Sequence, residues 1–211
     1  MLTTLNQKVS ADHCALLVVD MQNFYCHPEG YLAKRGRDMT ATEQLVPKLM
    51  DLVNGAKKVG VPVIYLRQTR DPYTVSEVTI EQRSRLFPDA SEDPLVEGDW
   101  QSEFYSVLPE SGDIIITKHR YSAFIDTSLE LILRSNGIKS IIVAGVATNV
   151  CIESTARDGF MKDYYVVIPR DCTAASSQEV HESSLGNIAG YFGEIVVSGE
   201  IIACWQRQDT I

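Results

Sequence analysis

The stretch Ile141–Cys151, IIVAGVATNVC, decides the fold. Its first four residues are apolar and mostly β-branched, and Gly145 ends the run, which is typical of a buried strand in a parallel sheet. Thr148 and Asn149 are good N-cap residues, and the following letters, VCIESTARDGFMKDY, predict a helix. Cys151 is therefore predicted in the first turn of a helix that starts at the carboxyl end of a strand.

This position leaves two interpretations of Cys151. The unpaired N–H groups and the dipole at a helix start favour an anion. The pKa of the thiol would then fall below its usual value of about 8.5, and the thiolate is the reactive form. Cysteine is, however, more often a buried and inert packing residue. The rest of the chain has to separate the two interpretations.

Composition limits the classes of protein to which this chain can belong. The chain has 211 residues, a net charge of −9 and 45% hydrophobic residues, so one domain over 1–211 is predicted. The acidic charge argues against a nucleic-acid partner, and no apolar run is long enough to cross a membrane. Five scattered cysteines without a CxxC pair are typical of reduced thiols. Because the N-terminus also lacks a signal-peptide pattern, we expect a cytoplasmic protein.

Segments typical of strands and helices alternate along the chain. Strands are predicted over 14–19, 61–66, 113–117, 141–144, 164–168 and 194–197. Helices are predicted from 40 or 42 to 59, over 77–86, from 126 or 127 to 136, over 150–164 and 178–191, with a short tail element over 201–205. This alternation predicts a parallel sheet covered by helices on both faces.

Three reactive residue types follow three of the predicted strands, at the sheet edge where α/β proteins build their sites. Asp20 follows the first strand, Lys118 the third and Cys151 the fourth. Together they supply a nucleophile, a carboxylate that can take its proton and a cation that can hold the thiolate. Taken singly, an aspartate at this position is commonly a turn residue and a lysine is usually solvated.

The histidines, and the search for metal and nucleotide motifs, indicate less about function than Asp20, Lys118 and Cys151 do. His27 and His119 lie near strand ends and remain possible substrate contacts, whereas His13 and His181 are interpreted as exposed. The sequence has no HExxH motif, no paired cysteines and no glycine-rich nucleotide motif. No metal and no cofactor are therefore predicted.

Three ordered phrases resemble the cysteine hydrolases of the isochorismatase-like superfamily, and the resemblance covers nearly the whole chain. They are LLVVDMQN around Asp20, ITKHRYSAF around Lys118 and GVATNVCIESTARDGF around Cys151. The resemblance implies an Asp-Lys-Cys catalytic triad. It also implies an oxyanion hole of backbone N–H groups from Ala147 and Cys151, after a cis Val146–Ala147 bond.

The same resemblance implies a fold. This is a three-layer α/β/α, Rossmann-like architecture with six mostly parallel strands in the order 3-2-1-4-5-6. In that order Lys118 lies two strands from Asp20, roughly 10 Å away at the usual strand spacing. The lysine is therefore predicted to reach inward.

Within the superfamily, the phrases look most similar to those of ureidoacrylate amidohydrolases, and relatives that cleave biuret or N-carbamoyl compounds share part of them. The resemblance implies a metal-free hydrolase of a linear C–N bond in a small amide or ureide. Nicotinamidases carry metal-binding Asp and His residues after the second strand, but RQTRDPYTVSEV over 67–78 has no histidine. A nicotinamidase with that metal site is therefore disfavoured. Isochorismatases proper lack the cysteine nucleophile, so Cys151 argues against vinyl-ether hydrolysis.

Five residues are predicted to contact the substrate: Gln22, Asn23, Tyr25, Gln68 and Tyr121. The first three lie in the polar loop after Asp20, and the other two match polar pocket positions of the ureidoacrylate relatives. In the alternative interpretation, Tyr121 packs in the core and Gln68 is solvated. The irregular segment 69–100 is expected to be a lid, rim or interface.

Two further expectations remain open. The family implies a homo-oligomer, either a dimer or a tetramer. A competing hypothesis from another class is a thiol redox or scaffold protein on the same fold, in which Cys26 is the one plausible resolving cysteine.

Overall fold

The computed structural model describes residues 1–88 and 95–208. Within them, seven strands form one sheet: β1 (Cys14–Val19), β2 (Val63–Gln68), β3 (Ile114–Lys118), β4 (Ser140–Val146), β5 (Tyr165–Pro169), β6 (Thr173–Ala174) and β7 (Glu194–Val196). The same residues contain eight α-helices: α1 (Leu5–Lys8), α2 (Asn23–Cys26), α3 (Thr40–Lys58), α4 (Glu77–Leu86), α5 (Leu129–Ser135), α6 (Glu153–Met161), α7 (Gln178–Tyr191) and α8 (Ser198–Gln208). None of these helices is long and apolar enough to cross a membrane.

The sheet has the strand order β3-β2-β1-β4-β5-β7, and every paired strand is parallel to its neighbour. This confirms the predicted three-layer α/β/α fold with one correction. The predicted sixth strand is the seventh, because the two-residue strand β6 pairs with the end of β4. A strand of two residues is too short to give a periodic signal in the sequence.

Alternate residues of β1 pack into two separate cores. Leu16 and Val18 pack on the face covered by α3 and α8, while Leu17 and Val19 pack on the face covered by α5, α6 and α7. All six residues of β1 are fully buried. The continuous apolar run follows from burial on both faces, as expected of a central parallel strand.

Two strand ends differ from their predictions at the edge that carries the predicted site. Strands β2 and β4 each run two residues beyond their predicted ends, because backbone pairing with the neighbouring strands continues there. Gln68 thereby pairs with Lys118 in the sheet register. The helices over 77–86 and 178–191 match their predictions, whereas α1 and α2 were not predicted and α8 is longer than the tail element.

Gly145 allows the two central strands to approach closely at this edge. Its φ is +116°, and a Cβ atom there would lie 2.1 Å from the carbonyl oxygen of Val19. Any larger residue would push β4 away from β1 just before Asp20 and just before the turn that bears Cys151.

Candidate active site

Asp20, Lys118 and Cys151 meet at the carboxyl edge of the sheet. The Nζ atom of Lys118 lies 2.8 Å from Oδ2 of Asp20 and 3.6 Å from Sγ of Cys151. The three residues are 1%, 0% and 4% exposed. Lys118 therefore spans the width of β2 with its side chain, as the strand order predicted.

The buried charges stabilise one another. Burial raises the pKa of Asp20, and the charge of Lys118 opposes that rise. Burial alone would lower the pKa of Lys118, but Asp20 and Cys151 outweigh it, so the net direction is upward. Lys118 is thus held as an ammonium, and Asp20 is a carboxylate of increased proton affinity.

The thiol of Cys151 differs from its prediction. Burial raises its pKa, and the adjacent Asp20 carboxylate raises it further, while Lys118 acts in the opposite direction. The helix start was expected to lower this pKa, but burial and the carboxylate dominate. The resting side chain is therefore a protonated thiol next to a carboxylate that can accept its proton.

The turn that carries Cys151 is π-helical over Thr148–Ile152 and continues into α6. Ala147 is its N-cap residue and makes no side-chain cap, so the prediction of Thr148 or Asn149 as the cap is wrong. Instead, Thr148 Oγ1 forms a hydrogen bond of 2.9 Å with Nδ1 of His181 on α7.

A buried polar network fixes this π-helical turn against α7. The Ser184 hydroxyl donates to Oε2 of Glu153 at 2.6 Å and also lies 3.1 Å from the carbonyl oxygen of Thr148. His181 is 9% exposed, and burial lowers its pKa, so its interpretation as an exposed histidine is wrong. The partners lie on different elements, which no local sequence pattern indicates.

The Val146–Ala147 peptide bond is cis, as the family resemblance implied. The carbonyl oxygen of Ala147 accepts hydrogen bonds from the backbone N–H groups of Val150 at 3.0 Å and Ile152 at 3.2 Å. These bonds hold Ala147 and Cys151, the two residues predicted for an oxyanion hole, in one tight turn.

Asp20 has a left-handed backbone, with φ at +51°. Its N–H donates to Leu66 O at 2.9 Å, and its carbonyl oxygen accepts from the N–H of Gln22 at 2.8 Å. A non-glycine residue in this region costs on the order of 1 kcal/mol and persists where the surroundings enforce it. The end of β1 thus turns sharply at Asp20.

Gln68 and Tyr25 lie beside the buried lysine. The Oε1 atom of Gln68 accepts hydrogen bonds from Lys118 Nζ at 3.3 Å and from the Tyr25 hydroxyl at 3.1 Å. It also lies 3.9 Å from Sγ of Cys151. Gln68 is 3% exposed, so the alternative of a solvated side chain is wrong.

Gln22 and Asn23 are structural braces in this geometry. The amide of Gln22 donates to the carbonyl oxygens of Gln68 and Ser102, both at 2.9 Å, and accepts from the N–H of Gln68 at 2.8 Å. Asn23 donates to the carbonyl oxygen of Trp100 at 2.8 Å. These bonds tie both amides to backbone groups, and substrate contact by Gln22 and Asn23 stays a prediction.

A cleft of about 280 Å³ opens next to Gln68. Tyr121 lines it, is 37% exposed and accepts a hydrogen bond from Gln82 of α4, so it does not pack in the core. His119 also lines the cleft and bonds through Nδ1 to the carbonyl oxygen of Thr69 at 3.0 Å. His27 does not line it and accepts instead from the N–H of Glu29 at 2.9 Å.

Over residues 1–88 and 95–208, no group of three or more His, Cys, Asp or Glu side chains is arranged to hold a metal ion. Metal-independent chemistry stays a prediction, to be tested by chelation.

A family model described as the isochorismatase domain matches residues 14–200. The chain belongs to the isochorismatase family. This confirms the resemblance carried by the phrases around Asp20, Lys118 and Cys151.

Individual relatives agree with this isochorismatase-family membership. The chain is 35% identical over 190 residues to the ureidoacrylate amidohydrolase RutB of Methylobacterium radiotolerans, with 84% of this chain and 74% of that protein covered. It is 37% identical over 191 residues to RutB of Yersinia enterocolitica, covering 85% and 83%. A solved cysteine hydrolase from Pseudomonas syringae superposes with a TM-score of 0.84 at 31% identity, covering 95% of both chains. The protein is thus an isochorismatase-like hydrolase.

Proposed function

We propose that this protein is a cysteine-dependent amidohydrolase that cleaves a linear C–N bond in a ureido or carbamoyl compound. One observation carries the proposal: Lys118 Nζ lies 2.8 Å from Asp20 and 3.6 Å from Cys151 inside a buried site. Base, cation and thiol are therefore within reach of one another before any substrate binds. The relatives named ureidoacrylate amidohydrolase support the substrate class.

The first step makes the nucleophile. Asp20, whose pKa burial raises, takes the proton of the Cys151 thiol. The thiolate that forms lies beside the Lys118 ammonium. Its negative charge takes the place of the charge that Asp20 loses when it is protonated. One positive charge thus serves two anions in turn, and no charge is left unpaired in the buried site.

The thiolate then attacks the substrate carbonyl. The oxyanion is held by the backbone N–H groups of Ala147 and Cys151, which belong to the turn after the cis bond. Asp20 returns the proton to the leaving amine, the C–N bond breaks and an acyl- or carbamoyl-thioester remains. Water, deprotonated by Asp20, hydrolyses that thioester and restores the thiol.

The polar wall of the site favours a ureide over a simple amide. Tyr25, Gln68 and Tyr121 supply hydroxyl and amide groups around the approach to Cys151. A ureido group presents a carbonyl acceptor and several N–H donors to such groups. A site built to pair them rejects compounds that lack them more strongly than an apolar pocket does.

An ammonia-release assay over ureidoacrylate, biuret, N-carbamoyl amino acids and simple amides tests the proposal. Ureidoacrylate is expected to be the best substrate, and turnover is expected to survive exhaustive chelation with EDTA. Loss of activity with EDTA and its return with zinc would contradict metal independence. Stoichiometric alkylation of Cys151 by iodoacetamide without turnover of any compound would instead favour the redox or scaffold hypothesis.

A further inference from the structure

We propose that His181 on α7 is a positioning residue for the oxyanion hole of this enzyme, and that it acts through the hydroxyl of Thr148. This inference rests on the proposed function, because that function places the oxyanion at the backbone N–H groups of Ala147 and Cys151. It adds a residue from a separate helix to the groups that determine the rate of the reaction.

The turn that bears Cys151 is joined to α7 at its first residue. Thr148 follows Ala147 directly, and its Oγ1 atom lies 2.9 Å from Nδ1 of His181. Thr148 is fully buried and His181 is 9% exposed, so this hydrogen bond lies inside the protein. A hydrogen bond in such surroundings is electrostatically stronger than one in water. The start of the turn is therefore held to α7 by a single well-defined contact between side chains.

The end of the same turn is also joined to α7. Glu153 follows the turn as the first residue of α6. Its Oε2 atom accepts a hydrogen bond from the Ser184 hydroxyl at 2.6 Å, and its Oε1 atom accepts one from the Asn187 amide at 2.6 Å. His181, Ser184 and Asn187 are spaced three residues apart, which places them along one side of α7. One side of α7 thus holds both ends of the segment that runs from Thr148 to Glu153.

Packing alone does not explain this choice of residues. Burying an imidazole and a hydroxyl costs free energy unless both are hydrogen-bonded, and apolar side chains would fill the same space without that cost. A hydrogen-bonded polar network, in contrast, fixes one geometry. An oxyanion hole needs a fixed geometry, because its N–H groups must lie within hydrogen-bond distance of an oxyanion that exists only during the reaction. A displacement of about 1 Å at such a site can lower a rate by about 100-fold.

Two reactions of the Cys151 thiol separate this positioning role from a general role in packing. In acylation by p-nitrophenyl acetate, the thiolate adds to the carbonyl carbon, a tetrahedral oxyanion forms, p-nitrophenolate leaves and a thioester remains. In alkylation by iodoacetamide, the thiolate displaces iodide at a saturated carbon, and no oxyanion forms. Only the first reaction therefore depends on the oxyanion hole.

The test measures the second-order rate constants of both reactions. Acylation is followed by the release of p-nitrophenolate and alkylation by mass spectrometry, with Cys151→Ser as the background in each case. The ratio of the acylation constant to the alkylation constant reports the oxyanion hole without requiring hydrolysis of an amide. A change in the thiol itself alters both constants and largely cancels in this ratio.

His181→Phe, which keeps an aromatic ring and loses the hydrogen bond, is expected to lower this ratio about 10- to 100-fold. Thr148→Val, which keeps the shape of the side chain and loses the hydroxyl, is expected to lower it by a similar factor. The double variant should have a ratio no lower than that of the weaker single variant, because both substitutions remove the same bond. Losses that multiply in the double variant would overturn the claim that His181 acts through Thr148.

Two further variants complete the test. His181→Asn offers a hydrogen-bonding atom near the position of Nδ1 and is expected to recover most of the loss. Ile188→Ala is the matched control for packing, because Ile188 is fully buried on the same helix. Its urea midpoint should fall, while its ratio should stay within about twofold of wild type. A ratio unchanged in both His181→Phe and Thr148→Val, or lowered equally in Ile188→Ala, overturns the proposal.

The ammonia-release assay separates this inference from the proposed function. If wild type releases ammonia from none of the ureides while His181→Phe still lowers the ratio, the positioning role stands and the amidohydrolase proposal fails. If wild type hydrolyses a ureide and the ratio does not depend on His181, the amidohydrolase proposal stands and the positioning role fails. Where both hold, His181→Phe should lower kcat for that ureide and leave KM nearly unchanged, because the lost interaction acts in the transition state.

Discussion

Two regions of the molecule line one site and are built in opposite ways. Strands β1 and β4, which lead to Asp20 and Cys151, are buried along their whole length. The helix α4, which forms one wall of the cleft, contains no buried residue. The comparison teaches that the reactive groups are held by core packing, whereas the wall that meets the rest of the substrate is held by a few polar contacts.

The largest effect is expected for Cys151→Ser, in the buried region that follows β4. We expect turnover of the best substrate to fall by at least about 10³-fold, because the covalent step needs the thiolate. The substitution is nearly isosteric, so circular dichroism and thermal unfolding should match wild type.

The matched control for that variant is Cys26→Ala. Cys26 is fully buried near the same strand end, with its Sγ 3.9 Å from the carbonyl oxygen of Asp20. The hydrolase mechanism gives it no role, and its turnover should stay close to wild type. Wild-type rates in Cys151→Ser, or equal losses in both variants, would contradict the assignment of Cys151 as the nucleophile.

Asp20→Asn should lower turnover but increase the rate at which iodoacetamide alkylates Cys151. Turnover should fall by about 10²- to 10⁴-fold, because asparagine can neither return a proton to the leaving amine nor deprotonate the attacking water. The Asp20 carboxylate raises the pKa of Cys151, so removing its charge beside Lys118 lowers that pKa. With the pKa above the measuring pH of 7, a lower pKa increases the thiolate fraction.

The reactivity of each thiolate falls as its pKa falls, so the net gain in iodoacetamide alkylation is about threefold for each pKa unit lost. Asp20→Asn should therefore be alkylated faster than wild type at pH 7, and the difference should shrink as the pH rises. Slower alkylation at pH 7 would mean that Asp20 does not keep the proton on the thiol.

Gln68→Ala and Tyr121→Phe compare the inner and outer parts of the cleft. Gln68 contacts Lys118 and lies 3.9 Å from the thiol, so its loss should lower kcat/KM by about 10- to 100-fold, the effect of a lost hydrogen bond to a charged group. Tyr121 is 37% exposed and binds Gln82, so its change should cost less than about tenfold.

The iodoacetamide reactivity of Cys151 should remain near wild type in Tyr121→Phe. Full kcat/KM in both variants would show that Gln68 and Tyr121 do not line the substrate pocket, and would weaken the ureido assignment.

The contrast between the buried strands β1 and β4 and the exposed helix α4 also bears on which elements the sequence predicted. A continuous apolar run followed by one reactive residue is a local pattern, and it indicated β1 with Asp20 and β4 with Cys151. The helix α4 was also predicted, over 77–86, and the structure adds its cap: Ser76 accepts a bond from the N–H of Thr79 at 3.3 Å. The six residues 89–94 of the expected irregular segment lie outside the described residues.

The predictions that failed depended on distant partners. The N-cap prediction failed because Thr148 bonds to His181 across 33 positions. Burial and the Asp20 carboxylate raise the pKa of Cys151, against the direction that its place at a helix start had indicated. Residue types and local periodicity therefore predicted which side chains meet at this edge of the sheet, while their protonation and bracing required the tertiary structure.

The smallest effect is expected on the surface of α4, where Ile80 is 54% exposed. Ile80→Ala removes little apolar contact, so the free energy of unfolding should change by less than about 0.5 kcal/mol. The matched variant is Leu17→Ala on β1, where a fully buried side chain leaves a cavity and the cost should be about 2–5 kcal/mol. Urea unfolding of both variants measures the difference, and kcat/KM of Ile80→Ala should stay within about twofold of wild type if α4 acts only through the side chains that line the cleft. A loss above about 2 kcal/mol in Ile80→Ala would show that α4 is packed against a further surface in solution, and the division between a buried reactive edge and a lightly packed wall would then be wrong.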